Sequence, residues 1–220
     1  MRTLLVQNSV SLDATIDAGD PQVVNIHFPA AFSEKYIRPE VRLEIGPLAS
    51  WVPSAVHPIQ PYLADVFPQV FENPACGVRT IAAERTFWEK ATILHQETNR
   101  QGLIPKRYSR HYYDLARLAA SDIKGKALQD LGLLSEVVKF KQRFYPSQWA
   151  RYERAKPGSF KLLPDGPEQL TNLAKDDEDM KIMLFGRVPS FEEILESLSA
   201  LEIEVNRLES QRESVRTAGN

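Results

Sequence analysis

The sequence predicts an α+β fold in which a strand-rich first part is followed by a mainly helical second part. Up to about residue 81 the apolar segments are short and rich in β-branched residues, as in PQVVNIHF and VRLEIG. From Glu84 onward apolar residues recur at spacings of three and four, which is the period of a helix. We therefore expect a strand-rich domain over residues 1–82 and a helical domain over residues 83–220.

The composition is that of an ordinary globular protein of 220 residues, with 43% hydrophobic and 25% charged residues. The net charge of -2 argues against general affinity for nucleic acid, although a local basic patch can still bind it. Cys76 is the single cysteine, which excludes an intrachain disulfide and a multi-cysteine metal site. The sequence shows no signal peptide and no apolar stretch of about 18 residues, so we expect a cytoplasmic protein without a membrane span.

The first part contains four segments of strand character, which are LLVQ, PQVVNIHF, VRLEIG and CGVRTIAA. In the third of these, Val41 and Leu43 alternate with Arg42 and Glu44. Glu44 therefore points away from the apolar face, as in a strand with one solvated face or one face lining a cleft. A proline-rich run, residues 47–74, separates this strand from the last one.

The second part predicts helices near residues 83–100, 109–121, 124–145, 147–155, 167–185 and 190–213. Ser190 and Glu193 have the spacing of a capping box at the start of the last helix. Its apolar positions then step four, three, four and three residues, at Ile194, Leu198, Leu201, Val205 and Leu208. Such a seam packs either against the chain's own helices or against a second copy.

The segment ERTFWEKATILH places a lysine, Lys90, on the same helical stripe as Phe87 and Leu94. An apolar face is a costly environment for an ammonium group unless an anion meets it there. Two interpretations remain open: the lysine stem packs while its ammonium reaches water, or the ammonium binds phosphate in a cleft.

The segment KRYSRHYYDLARL carries Arg110 and Asp114 four residues apart, a spacing that allows an ion pair on one helix. Basic and aromatic residues interleave around Arg107 and Tyr108, as in surfaces that hold RNA by phosphate contacts and stacking. A solvated helix start is the simpler interpretation. The sequence has no H-E-x-x-H, G-x-S-x-G, P-loop or G-x-G-x-x-G motif, which argues against the enzymes that depend on them.

Three segments together, ERTFWEKATILH, RYSRHYYDLARL and DMKIMLFGRVPSFEEILESLSALEIEVN, resemble the AbiEii/AbiGii-type nucleotidyltransferase toxins of bacterial abortive-infection and toxin–antitoxin pairs. The resemblance runs from about Val41 to Asn206. It implies a partial DNA polymerase β-like nucleotidyltransferase sheet, with residues 1–82 as the remnant of that core, followed by a mainly helical domain. The implied activity is magnesium-dependent transfer of a nucleotide from a nucleoside triphosphate (NTP) to an acceptor such as tRNA.

The resemblance also assigns roles to particular residues of this chain. VRLEIG is similar to the strand that bears the family's third metal-binding carboxylate, which would be Glu44. Lys90 and Asp114 match the family's helical lysine and aspartate, with Asp114 orienting Lys90 or acting near the acceptor. Arg110 lies where the family often has a basic residue, and would bind phosphate with Lys90. The family commonly reads Arg-Asp where this chain has Arg110-His111.

A second set of implied contacts concerns RNA. The basic residues near the start of the second motif are the expected tRNA contacts: Lys106, Arg107 and Arg110. A free-standing RNA-binding module would use the same residues and would show salt-sensitive affinity.

The family's glycine turn and Asp-x-Asp pair have no counterpart ahead of Glu44. Asp13, Asp17 and Asp20 occur there without Asp-x-Asp spacing and without a preceding Gly-Gly or Gly-Ser turn. Magnesium-assisted transfer needs more carboxylates than Glu44 alone. We therefore expect an N-terminally truncated, catalytically incomplete chain, with magnesium bound only by an intact full-length protein. The alternative is a non-catalytic protein that binds an antitoxin or self-associates through its C-terminal helices, and no oligomeric state is predicted.

Overall fold

The chain proceeds from short antiparallel strands into a series of helices, which confirms the predicted α+β class. The computed structural model describes residues 13–31, 36–46, 50 and 52–218, with side chains described up to residue 209. The predicted strand at LLVQ lies outside the described residues. Two compact units are present: Met1–Ala49 with Asp179–Gly186, and Ser50–Glu178 with Arg187–Asn220.

The first unit contains a three-stranded antiparallel sheet in the order β1-β2-β3, formed by β1 (Asp13–Ile16), β2 (Val23–His27) and β3 (Glu40–Glu44). Val23 of the central strand is 2% exposed, whereas Val41 of the edge strand β3 is 51% exposed. The apolar side chain of Val41 in β3 is therefore much less covered than that of Val23 in β2. An edge strand has a neighbour on one side only, so its side chains receive less cover.

The turn between β1 and β2 accounts for two of the aspartates in SLDATIDAGD. Asp17 Oδ1 accepts a hydrogen bond from the Gly19 amide, and Asp20 Oδ1 accepts one from the Gln22 amide, both at 2.9 Å. Aspartates bond their own backbone two residues on in many tight turns. These two carboxylates therefore help to define the hairpin.

The second unit begins with an antiparallel pair of strands, β4 (Ser54–Ile59) and β5 (Cys76–Ile81). The strand β4 lies within the proline-rich run, where the sequence analysis assigned no element. Pro58 pairs in register with Gly77. A strand that has only one hydrogen-bonded neighbour tolerates proline, because a missing amide donor can face outward.

Helices make up the rest of the second unit apart from connecting segments. They are α1 (Tyr62–Val66), α2 (Ala83–Thr98), α3 (Ser109–Ala119), α4 (Ile123–Gln129), α5 (Leu131–Phe144), α6 (Pro167–Met180) and α7 (Phe191–Ala218), with α6 ending in the first unit. Short 3₁₀ turns cover Pro68–Val70 and Tyr152–Arg154 in the second unit and Lys181–Met183 in the first. The expected change from strands to helices thus falls between β5 and α2.

The helix predicted over residues 167–185 ends at Met180 and is followed by the 3₁₀ turn. Two other predicted helices are divided or reduced. The helix expected over residues 124–145 is divided at Asp130, whose φ of -110° and ψ of 75° leave the helical region and whose side chain accepts from the Leu133 amide. A new helix therefore begins with its own cap. The helix expected over 147–155 is reduced to the 3₁₀ turn at Tyr152–Arg154, which follows Arg151 in a left-handed conformation with φ of 51°.

The core of the second unit is built mainly from α2, α3, α5 and α7. Its members are apolar residues at helical spacing, including Phe87, Trp88, Leu94, Leu115, Leu134, Val137, Ile194, Leu198, Leu201 and Val205. Trp88 satisfies its indole N–H by donating to the Ala127 carbonyl at 3.2 Å. The α7 seam is thus buried within the chain itself from Ile194 to Val205, and α7 packs against α3.

The start of α7 confirms the predicted capping box. The Glu193 amide donates to Ser190 Oγ at 3.1 Å, and the Ser190 amide donates to Glu193 Oε2 at 2.7 Å. Two amides at the helix end are satisfied reciprocally.

Candidate functional site

Lys90 occupies the middle of α2, between core residues on its own helix. Phe87 and Leu94 are fully buried, whereas the Lys90 side chain is 20% exposed. The stripe predicted from the sequence therefore places the lysine stem along the core and its ammonium at the edge of the packed helices.

The Lys90 ammonium contacts two side chains of α3. Its Nζ donates to Asp114 Oδ2 at 2.7 Å and lies 3.0 Å from His111 Nδ1. An ammonium group has donors only, so Nδ1 accepts and the imidazole proton is on Nε2. Asp114 thus pairs with a lysine of a neighbouring helix and not with Arg110, the i-4 residue that the sequence suggested.

His111 is held neutral by its surroundings. Burial is the largest cause that lowers the pKa of His111, to about 3, and the positive charges of Lys90, Arg110 and Lys141 lower it further. The Tyr108 ring lies edge-on to the imidazole, with 5.1 Å between ring centroids. Because the imidazole is neutral, Asp114 is the one carboxylate among the described residues that forms an ion pair with Lys90.

A charged cluster surrounds Lys90. Its first members are Lys90, His111 and Asp114, and Arg85 and Glu89 extend it along α2. Arg85 is 2% exposed, donates from Nε to Glu89 Oε1 and from Nη1 to the Val52 carbonyl, both at 2.9 Å, and lies 5.7 Å over the Phe140 ring. A buried guanidinium is costly without such an ion pair and hydrogen bonds. The Arg85 charge is therefore balanced by Glu89, and its second hydrogen bond joins α2 to Val52, just before β4.

Lys141 of α5 faces the same cluster. Burial lowers the pKa of Lys141, Glu89 raises it, and the charges of Lys90 and Arg85 lower it. The ammonium lies 5.3 Å from the centroid of the Tyr145 ring. A third helix thus contributes a cation to the group around Lys90.

The N-terminus of α3, which carries the predicted RNA-contact residues, is anchored by α6. Asp176 is 8% exposed, and its carboxylate accepts from the Arg107 amide at 2.6 Å and the Ser109 amide at 2.9 Å. Arg107 has a φ of 68°, and Lys106 and Arg110 are exposed. The carboxylate from α6 performs the capping role that no N-cap side chain of α3 fills.

The aromatic residues of this segment do not form an open stacking surface. Tyr112 is 1% exposed within the core, and Tyr108 and Tyr113 are partly buried against it. The expected interleaving of basic and aromatic side chains is therefore wrong for Tyr112, because the helical period turns this ring inward.

Glu44, the predicted metal ligand, lies at the end of β3 in the first unit. Its side chain is 74% exposed and accepts from Arg42 Nε at 3.1 Å. The same guanidinium donates to Asp17 Oδ2 at 3.0 Å. The Gly19 amide is the main cause that lowers the pKa of Asp17, with help from Asn25 and Arg42.

A comparison of the sequence with models of protein families identifies the family of this chain. The sequence model described as "Nucleotidyl transferase AbiEii toxin, Type IV TA system" matches residues 4–197, which is more than half of the chain. The chain belongs to the AbiEii nucleotidyl transferase toxin family. Comparison with curated proteins and with solved structures gave no match.

The AbiEii match confirms the resemblance inferred from the three motifs and begins further upstream than Val41, the start expected for it. Lys90, Asp114, Arg110 and Glu44 all lie within the matched range. Their individual roles stay predictions.

The described residues of this AbiEii chain do not by themselves fit a magnesium site. No group of three His, Cys, Asp or Glu side chains among them could hold a metal ion. Asp17 and Glu44 both bond one guanidinium, that of Arg42, and an arginine placed between carboxylates takes the position a cation would need.

Within the described part of the chain, no helix is both long and apolar enough to cross a membrane.

Three members of the cluster around Lys90 were not predicted from the sequence: Arg85, His111 and Lys141. Arg85 lies one turn before Glu89 on α2, and the spacing alone suggests an ion pair but not its burial. Lys141 is brought near by packing of α5 on α2, which no local pattern reports. The signal in the sequence that pointed to His111 was its replacement of the aspartate in the family's common Arg-Asp pair.

Proposed function

We propose that this AbiEii chain binds the triphosphate of an NTP through the cluster around Lys90 and serves nucleotidyl transfer to an acceptor such as tRNA. The main observation in support of this proposal is the set of contacts made by Lys90. The Lys90 ammonium is held by Asp114 and His111 at 2.7 and 3.0 Å, among other cations from three helices.

The geometry of Lys90 supports phosphate binding. An ammonium group has three N–H donors, and Asp114 and His111 engage two of them. The third is available to a phosphate oxygen, and a charge-assisted hydrogen bond of this kind is among the stronger ones in proteins. Because two contacts already orient the side chain, binding needs little further ordering of it.

Arg110 supplies a second cation at the rim of the cluster. Its side chain is exposed on the first turn of α3, beside His111. An exposed guanidinium can form two parallel hydrogen bonds to a phosphate, which an ammonium cannot do. We assign it to a phosphate group nearer the solvent than the one bound by Lys90.

The chemical step that such a cluster serves is displacement at the α-phosphorus of the NTP. The oxygen of the acceptor hydroxyl forms a bond to phosphorus and its proton passes to solvent water. The bond from phosphorus to the bridging oxygen breaks, and pyrophosphate leaves with the electron pair. Lys90 and Arg110 would stabilise negative charge that grows on this leaving group, while Asp114 keeps the ammonium oriented.

The metal part of the reaction stays a prediction from the family resemblance. Glu44 would be the third carboxylate of a magnesium site in an intact full-length protein. Because the described residues do not fit that site, we assign them no step through the ion. Transfer therefore requires carboxylates beyond Glu44.

We propose two macromolecular partners, tRNA and a cognate antitoxin. Lys106, Arg107 and Arg110 surround the anchored start of α3 and are the proposed tRNA contacts, acting through phosphate charge more than through ring stacking. Toxin–antitoxin families work in pairs, so we also propose a cognate antitoxin. The NTP and tRNA pools place the proposed reaction in the cytoplasm.

One assay tests the proposal. The chain is incubated with magnesium, tRNA and each α-phosphate-labelled NTP in turn, and NTP binding is measured in parallel by titration calorimetry. Labelled tRNA demonstrates transfer by this chain. NTP binding without labelled tRNA supports the phosphate-binding role and the need for further carboxylates. Absence of both binding and labelling contradicts the proposal.

A further inference from the structure

Lys141 differs from the other lysine of its helix. Lys139 is exposed to solvent, whereas Lys141 is partly buried between α5 and the charged face of α2. Burial is the main cause that lowers the pKa of Lys141. The fold therefore keeps a charged group in a place where its charge is unfavourable, which is common where a ligand supplies the compensation.

The ammonium of Lys141 has unused hydrogen-bonding capacity. Among the described residues, no hydrogen bond or ion pair involves Lys141 Nζ, and its one specific contact is with the Tyr145 ring at 5.3 Å. Buried and half-buried polar groups nearly always have partners, and an ammonium offers three donors. An acceptor from outside the described residues would complete this environment.

The charge around Lys141 favours an anion as that acceptor. Arg85 is paired with Glu89, and Lys90 is paired with Asp114. Those pairs leave Lys141 and Arg110 without an ion pair among the described residues, although the charge of Glu89 raises the pKa of Lys141. The charges of Lys141 and Arg110 both lower the pKa of the neutral His111. The cluster thus carries an excess of two positive charges around one imidazole.

We propose that Lys141 is a second phosphate-binding lysine, which holds the triphosphate of the NTP together with Lys90. The inference rests on the proposed function and names a residue that neither the sequence motifs nor the family resemblance assigns. Two ammonium groups on different helices suit a ligand that carries several linked phosphates, because each can contact a separate phosphate. α5 is thereby part of the binding site and not only of the core.

The alternative is that Lys141 only packs its stem against Phe140 and Tyr145. Methionine is the appropriate replacement, since Lys141→Met keeps an unbranched stem of similar length and removes the charge. Lys139→Met makes the same change two residues away at an exposed position of α5. Lys141→Arg restores a positive charge at the tested position.

Inorganic triphosphate is the probe, because it lacks the nucleoside and needs no acceptor. Titration calorimetry at fixed ionic strength should show at least about tenfold weaker binding for Lys141→Met, since a hydrogen bond to a charged group contributes about 1.5–3 kcal/mol. Lys139→Met should bind like the parent, and Lys141→Arg should recover part of the affinity. Parent-like binding by Lys141→Met would overturn the proposal.

A labelling experiment on the parent protein avoids any variant that fails to fold. Lysines are acetylated at pH 8 with and without triphosphate, and the modified residues are identified by mass spectrometry. The expected result is protection of Lys90 and Lys141 but not of Lys139. Protection of Lys90 alone overturns the role of Lys141 and leaves the proposed function intact, whereas a parent that binds no triphosphate contradicts both.

Discussion

Lys90 and Asp114 form an ion pair of 2.7 Å between two helices, although they lie 24 residues apart in the chain. The pair is partly open to solvent, since the lysine side chain is 20% and the aspartate side chain 41% exposed. Solvent-exposed pairs contribute little to stability, typically about 0–1 kcal/mol. We therefore propose that the pair serves mainly to orient the ammonium group next to His111.

The first prediction concerns Asp114. Asp114→Asn should change the free energy of unfolding by less than about 1 kcal/mol, because the pair is partly screened by solvent. The variant should still bind triphosphate, since the cluster loses a negative charge and keeps its cations. Any transfer activity of a full-length protein should fall, because the ammonium loses its strongest orienting contact. Denaturant titration and a labelled-tRNA assay measure the two effects, and a variant with full transfer activity would exclude this role for Asp114.

The second prediction concerns the pH dependence of stability at His111. Its pKa is near 6.5 in the unfolded chain and about 3 in the folded chain, so between these values the unfolded state binds more protons. The free energy of unfolding should therefore decrease as the pH falls from about 6.5 toward 3. The groups that face the imidazole are Lys90 of α2, Lys141 of α5, and Arg110 and the Tyr108 ring.

His111→Asn keeps an acceptor near Lys90 and removes the titrating group. The variant should lose less stability than the parent between pH 7 and 4.5 in denaturant titrations. His95, whose pKa is lowered mainly by burial, is present in both proteins and contributes the same trend to both. Equal pH dependence in the two proteins would contradict the assignment.

The third prediction tests the anchor of α3. Asp176→Ala removes the acceptor for the Arg107 and Ser109 amides, so it should lower the free energy of unfolding by about 1–3 kcal/mol. Amide hydrogen exchange at these two positions should increase. Asp179→Ala, which changes an exposed aspartate of the same helix, serves as the control. Unchanged exchange at Arg107 and Ser109 would rule out the anchoring role.

Some of this site was predictable from the sequence and some was not. The helical stripe of α2 and the capping box of α7 depend on residues close together in the chain, so local spacing was enough to predict them. Asp176 lies 69 residues from Arg107, and no local pattern reports that contact. Burial of Arg85 was also hidden, because periodicity arguments treat charged residues as exposed unless a partner is known.

The secondary structure was also predicted wrongly at short elements with an unusual backbone conformation or composition. The break at Asp130 and the left-handed Arg151 interrupt segments whose composition favours helix. The strand β4 contains Pro58 and was not predicted, because proline normally argues against a strand. In each case a tertiary contact or a local cap outweighed intrinsic preference.

The fourth prediction concerns the α7 seam. Leu201 is 2% exposed and Ile203, two residues away, is 50% exposed. Leu201→Ala should lower the free energy of unfolding by about 2–5 kcal/mol, and Ile203→Ala should have a small effect. Comparable costs for the two variants would show that the seam is not packed inside the chain.

The central claim is that Lys90 binds the phosphates of an NTP, and the most direct test is a calorimetric titration with a non-hydrolysable NTP analogue. Lys90→Met keeps the stem that packs along α2 and removes the ammonium, while Lys126→Met removes an exposed lysine that pairs with Asp122. Lys90→Met should bind the analogue at least about tenfold more weakly than the parent, and Lys126→Met should bind it like the parent. Equal affinity of the parent and Lys90→Met would contradict it.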